Sequence, residues 1–206
     1  CYLPRKVNFW MGDRAQEVAE AARLARRAVE LGKDDAVALS GGGYALALVA
    51  HDLDDGSAFL DQALALNPNL AMAWHSSGWT KAFLGEPELA IQQLMHTMRL
   101  SPRDPLIFRA QCGVGFAHFL AGRYDEASLW AGRALRLRPT YIPAMRELAA
   151  ANALAGRLSE AQKTMARLRQ LAPSVRVANV KDWIPLRRPE DLARLEDGLR
   201  KAGLPE

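Results

Sequence analysis

Apolar positions in this chain recur at spacings of three and four, the period that gathers them on one face of an α-helix. Ala21, Ala25 and Ala28 mark such a face near the start, and Leu192, Leu195 and Leu199 mark another near the end. Half of the residues are hydrophobic, and most of these are alanine and leucine rather than the β-branched and aromatic types that strands favour. The pattern predicts an all-α protein.

Prolines punctuate the helical pattern at a fixed period. "LNP" ends at Pro68, "LSP" at Pro102, "LRP" at Pro139 and "LAP" at Pro173, giving spacings of 34, 37 and 34 residues. Twelve residues before each proline stands a small residue, Gly56, Ala90, Ala127 or Ala161, and twelve before the last three come Gly78, Gly115 and Ala149. Gly43 lies thirteen before Gly56. A period of this length predicts stacked antiparallel helix pairs, with small residues where helices touch and a proline closing each second helix. Gly85, Gly122 and Gly156 suit the left-handed residue after a first helix, Pro87 suits a first helical turn, and Ser159 with Gln162 reads as a capping box.

The units expected are 36–68, 69–102, 103–139 and 140–173, after a partial repeat over 1–35 whose first helix is interrupted by Pro4 and Gly12. In "LSPRDP", Leu100 to Pro105, Asp104 suits an N-cap and Pro105 the first helical position. The first helix of the third unit should therefore start early and run about one turn of 3.6 residues longer than its neighbours. The extra residue between Gly43 and Gly56 is assigned to the turn "HDLDDG". Beyond Pro173 the period stops, and 174–206 is expected to supply capping helices over the last exposed apolar face, with Ser174 capping a short helix, Pro189 opening a longer one and Gly203 ending it.

These residues resemble the tetratricopeptide repeat, whose pattern is W-x2-L-G-x2-Y, then A-x3-F, then P over about 34 residues. Trp74, Gly78, Ala90, Leu94 and Pro102 match it best, Ser77 and Lys81 depart from it, and the third unit has Gln111 at the tryptophan position. The resemblance covers about 15–173 and implies a right-handed superhelix. The phrases "LNPNLAMAW", "RLSPRDP", "GRYDEA" and "GLRKAGLPE" further resemble the C-terminal repeat region of bacterial class III adenylate/guanylate cyclases, and similar tails follow winged-helix transcriptional regulators. That resemblance implies an interaction or regulatory module of a larger signalling protein, with no catalytic residue in this chain.

In tetratricopeptide folds the first helix of each unit lines the concave face, and the residue after the small glycine position points into it. The resemblance thus nominates Tyr44, Trp79 and Phe116, with Ala150 in the fourth unit, as a stripe on that face. Met72, His75, Arg109, Cys112, Phe119 and Arg146 accompany them as a groove for a peptide, a partner protein or a second copy. The alternative is that the aromatics fill space between helices.

Other chemistry is not indicated. "SGGGYAL" at Ser40 to Leu46 lacks the lysine of a P-loop and reads as close helix packing. His51, His75, His96 and His118 form no paired-ligand motif, the aspartates of "HDLDDG" lack the spacing of a calcium loop, and Cys1 and Cys112 lie far apart with no ligand spacing. Neither a nucleophile motif nor a dinucleotide fingerprint occurs, so no catalytic centre and no cofactor are expected. The net charge of +4 comes from arginines spread along the chain, which gives no reason to expect nucleic-acid contact. Lacking a membrane-length apolar run or a signal-peptide pattern, the chain is expected to be a cytoplasmic piece of a longer protein.

Overall fold

The computed structural model describes residues 2–7 and 11–206, leaving Cys1 outside the described residues. A short helix α1 (Tyr2–Val7) precedes α2 (Arg14–Leu31), and four helix pairs follow. These are α3 (Ala36–Ala45) with α4 (Leu53–Leu66), α5 (Ala71–Leu84) with α6 (Pro87–Leu100), α7 (Ile107–Leu120) with α8 (Tyr124–Leu137), and α9 (Ile142–Leu154) with α10 (Leu158–Leu171). Each helix packs on its successor, and α3, α5, α7 and α9 also touch one another in order along an inner layer. Successive packing of this kind is a solenoid.

The two layers differ in how they bury their residues. Outer helices bury a single narrow stripe, Ala127, Ala131 and Ala134 in α8 and Ala161, Met165 and Leu168 in α10. Inner helices are enclosed on nearly every side, which is why α7 and α9 read as "IFRAQCGVGFAHFL" and "IPAMRELAAANAL" with few charges. The outer surface of α10 carries exposed Glu160, Lys163 and Arg167 together with exposed Leu158 and Leu171.

Small residues set the distance between the helices of a pair. A Cβ on Gly43 would stand 2.9 Å from the Gly56 carbonyl oxygen, so α3 and α4 approach at a separation that only hydrogen permits. The first pair also absorbs its extra residue inside the helix. A π-turn at Leu46–Ala50 continues α3 and ends at His51, whose φ of 62° puts it in the left-handed region. His51 thereby stands where the later pairs use Gly85, Gly122 and Gly156 (φ 84°, 76° and 81°). The insertion lies in the helix as a π-bulge, not in the "HDLDDG" turn as expected from the sequence.

Three further expectations are corrected. Helix α7 has 14 residues, the same as α5, so the 37-residue spacing does not lengthen a helix. Asp104 instead accepts from the Leu106 amide at 2.7 Å and its carbonyl from Ile107 at 3.0 Å, and this closed turn, with a longer α7–α8 hairpin, holds the additional residues. Ser159 lies inside α10 behind an Arg157 N-cap rather than forming a capping box. Ser174 caps nothing; the tail continues through a 3-10 turn (Val177–Asn179) into a single-turn helix α11 (Val180–Trp183).

The tail takes an unexpected path. Helix α12 (Pro189–Lys201) begins at Pro189 and is followed by left-handed Gly203, as the sequence suggests. It packs chiefly on α9, the inner helix of the fourth pair, and Gly198 lies against Ala150. Residues 183–188 reach back to the first two pairs. Helix α12 thus covers the last pair at α9, while residues 183–188 run as a strap along the inner face, and one hydrophobic cluster extends without a break from Ala47 through Trp79 and Phe116 to Ile184 and Leu195.

Candidate functional site

The inner layer presents a groove that the strap divides in two. Its covered half lies over the C-terminal turns of the inner helices. There Trp79 and Phe116 stack at 5.7 Å, Phe83 meets Phe116 edge-on, and Phe119 stacks on Phe116 at 6.3 Å. Trp79 is 7% and Phe116 3% exposed, and Phe119 is fully buried. The nominated Trp79, Phe116 and Phe119 therefore form a floor beneath the chain's own tail instead of opening to solvent, because Ile184 and Leu195 bury their side chains in the same cluster.

Backbone carbonyls at the helix ends fasten the strap. The final carbonyls of an α-helix have no intrahelical partner, and Pro87 has no N–H to offer Phe83. Arg187 N donates to Phe83 O at 2.9 Å, and the Arg194 guanidinium donates to Leu120 O at 2.6 Å. Arg187 also pairs with Asp54 at 2.7 Å, and Arg188 lays its stem over Gly85, where a Cβ would stand 2.2 Å from Arg188 Cδ. At the strap's start, Lys6 Nζ donates to Asp182 O at 2.7 Å and lies 3.0 Å from His51 Nε2, while the Asp182 carboxylate pairs with Arg14. Burial, then Arg14, pulls the Lys6 amine down to about 8, and burial, then Lys6, pulls His51 down to about 4.

The open half lies toward the N-terminal turns of the inner helices. Tyr44 and His75 meet edge-on at 6.2 Å, and Phe108 meets Tyr141 edge-on at 4.9 Å. Tyr44 and His75 are half-buried, while Met72 and Arg109 are exposed. The Arg109 guanidinium stands 5.9 Å from the Phe108 ring centre. Burial holds the Tyr44 and Tyr141 hydroxyls above their ordinary range, opposed by Arg109 at both and by Arg146 at Tyr141. Burial, then Arg109, lowers His75 to about 4, so the ring is neutral at pH 7.

Beneath this surface lies a buried polar pair, the nominated Cys112 with Glu147, which the sequence did not single out. Cys112 Sγ, fully buried, lies 3.3 Å from Glu147 Oε2. Burial raises the Glu147 carboxyl well above its usual range, opposed by the Cys112 thiol and by Arg146. Its Oε1 occupies the space left by Gly115, where a Cβ would stand 2.0 Å away. Glu147 makes no hydrogen bond to its neighbour Arg146 and acts on it only through space, as Cys112 and Tyr141 do.

Arg146 decides the character of the open half. Lys6 and Arg146 are the buried cations among the described residues, 1% and 9% exposed. Lys6 has its carbonyl and histidine partners. Arg146 makes no hydrogen bond and no ion pair among the described residues, although burial disfavours its charge. An arginine does not escape that cost by losing its proton.

Of the nominated residues, Tyr44, His75, Arg109 and Arg146 share the open half with Met72 at its rim, Cys112 lies below it, and Trp79, Phe116 and Phe119 belong to the covered half. Reading the sequence missed Tyr141, Glu147, Asp54 and Arg187. The adjacent Arg146 and Glu147 inside the otherwise apolar "IPAMRELAAANAL" were the available signal for a polar group on an inner helix.

No protein-family model and no curated protein sequence matches the chain. Solved structures do. PilW, a widely conserved type IV pilus biogenesis factor, superposes with a TM-score of 0.67 at 20% identity, covering 91% of this chain and 86% of its own. YrrB, a tetratricopeptide-repeat protein with an unusual peptide-binding site, gives 0.54 at 21% identity over 88% and 91%. The fold is a tetratricopeptide-repeat solenoid. MamA from Desulfovibrio magneticus RS-1 shares it, with a TM-score of 0.59 at 23% identity over 80% of this chain and 98% of its own. No helix of this solenoid, among the described residues, is long and apolar enough to cross a membrane.

Proposed function

We propose that this chain is a protein-interaction module whose open half-groove holds an acidic segment of a partner protein. The observation that carries the reading is Arg146, buried and making no hydrogen bond or ion pair among the described residues, which acts on Tyr141 together with the exposed Arg109. A carboxylate from outside would give this guanidinium the hydrogen bonds that it does not make within the chain, and such charge-assisted pairs are the strong ones. Tyr44, His75 and Tyr141 offer ring surface for the apolar part of the same segment. The repeat fold supports this reading because a solenoid presents its inner layer as one continuous binding surface.

The test is fluorescence anisotropy with labelled extended peptides that differ only in a central Glu or Gln. The Glu peptide should bind more tightly by about ten-fold or more, and its advantage should shrink with added salt. Arg146→Gln should remove the discrimination. Equal binding of Glu and Gln peptides to the native protein would sink the reading.

The sequence phrases shared with cyclase C-terminal repeats support a further step, that the module serves a larger signalling protein of adenylate/guanylate cyclase type. A winged-helix regulator is the alternative parent. The coding sequence upstream of Cys1 tells these apart, a nucleotide-cyclase domain favouring the first and a winged helix the second.

A further inference from the structure

The covered half of the groove is a binding surface of different chemistry from the open half. Its floor is aromatic, Trp79 stacked on Phe116. Its rim supplies the Phe83 carbonyl, left without a helical donor, and the Asp54 carboxylate, whose side chain is 82% exposed even while it pairs with Arg187. Gly85 adds a notch for a side-chain stem, filled by Arg188, whereas a Cβ placed on either of the corresponding glycines, Gly122 and Gly156, would meet nothing within 4 Å. These features fit an irregular segment with apolar residues followed by two arginines.

The strap contributes "IPLRR", Ile184 to Arg188: Ile184 and Pro185 are buried, Leu186 is half-buried, and Arg187 and Arg188 are exposed. Covering the last pair falls to α12, which packs on α9, and not to this segment. Fastening is by the Arg187 N to Phe83 O hydrogen bond, the exposed Arg187–Asp54 ion pair and the burial of Ile184 and Pro185, each of which another chain could reproduce.

We infer that this half-groove is a second docking surface, for a partner segment of aliphatic-proline-aliphatic residues followed by paired arginines, and that residues 183–188 occupy it as an intramolecular competitor. A partner with this segment binds only when the strap lifts. The inference does not depend on the acidic ligand of the open half, since it uses other residues and the opposite charge.

The probe is a fluorescent peptide of residues 180–190 offered to the full chain, native or carrying Ile184→Ser with Arg187→Glu to loosen the strap. A strap that is open in about 1 to 10% of molecules weakens apparent binding to the native chain by about ten- to hundred-fold. The loosened variant should therefore bind the peptide more tightly by a factor in that range. Asp54→Lys added to it should reverse the preference toward a peptide with Glu at the Arg187 position. Equal or undetectable binding by native and loosened chains overturns the proposal. Hydrogen exchange on the native chain tests it without substitution: strap amides should exchange faster than those of α5 and α7. Exchange of both only at the rate of global unfolding would make the strap an integral part of the core and overturn the proposal.

Discussion

Arg146→Met should make the protein more stable and less able to bind. The side chain is 9% exposed and its guanidinium makes no hydrogen bond or ion pair among the described residues, while burial raises the neighbouring Glu147 carboxyl well above its usual range. Methionine keeps the unbranched stem that packs on the inner layer and removes only the charge. Replacing buried charges by apolar residues of similar size commonly gains about 1 to 4 kcal/mol. Because the guanidinium lies beside an open groove and is partly hydrated, the lower part of that range applies, about 1 to 2 kcal/mol. For a chain of this length each kcal/mol moves Tm by about 2 to 4 °C. Urea titration followed by circular dichroism at 222 nm measures the change directly, with an unchanged slope required before midpoints are compared. An acidic peptide that raises the Tm of the native protein should leave that of Arg146→Met where it is. Destabilisation by about 1 kcal/mol or more would mean that Arg146 has an intramolecular partner, and the argument for a vacant anion position would fail.

Gly115→Ala should destabilise by about 1 to 3 kcal/mol, since its Cβ would stand 2.0 Å from Glu147 Oε1 and 3.1 Å from the Ala127 carbonyl. Gly41→Ala, at a helical site with nothing within 4 Å, should instead stabilise by about 0.5 to 1 kcal/mol; the two urea midpoints should move in opposite directions. Protonation of His51 and His75 should lower stability as pH drops from 6.5 toward 4, against an opposing contribution from Glu147, which is raised on folding. Both His51 and His75 are lowered from 6.5 to about 4 on folding, so in that window the unfolded chain binds more protons at these two sites than the folded one. His75→Phe should make the urea midpoint fall less over that window, while His51, beside Lys6 and Arg14, contributes separately. Gly122→Ala should cost about 1 kcal/mol, because its φ of 76° is left-handed; thermal melts beside Gly132→Ala in α8 give the comparison.

The solenoid could be read from the sequence because each pair solves the same packing problem with the same residue types. Gly43 against Gly56, and Gly78 against Leu94, are local requirements that repeat, and repetition makes them visible. Where residues are added, the sequence counts them but does not locate them. The extra residue of the first pair could sit in a helix or a turn; the structure puts it in the π-turn before His51. The third pair's additional residues could lengthen α7 or its flanking loops, and the Asp104 side chain closes a loop around them.

The site was legible to a different depth. The tetratricopeptide resemblance nominated the inner-face residues, but what covers a face is a long-range contact that no local pattern encodes. The apolar stripe Leu192, Leu195 and Leu199 could bury itself on any apolar surface, and α12 buries it on α9 rather than on α10. That choice follows from the sequence only when two facts are read together: α10 has a mostly polar outer face to leave exposed, and Trp79, Phe83 and Phe116 form the larger apolar surface still needing cover. The tail therefore goes where it removes most apolar area from water, and its arginines reach the free carbonyls at the helix ends. What it leaves open is the part of the groove with charges it cannot satisfy. Arg187 and Arg194 face carbonyls and Asp54 in the covered half, whereas Arg109 and Arg146 in the other half would repel the same arginines. Charge thus divides one continuous groove into a basic ligand's half and an acidic ligand's half.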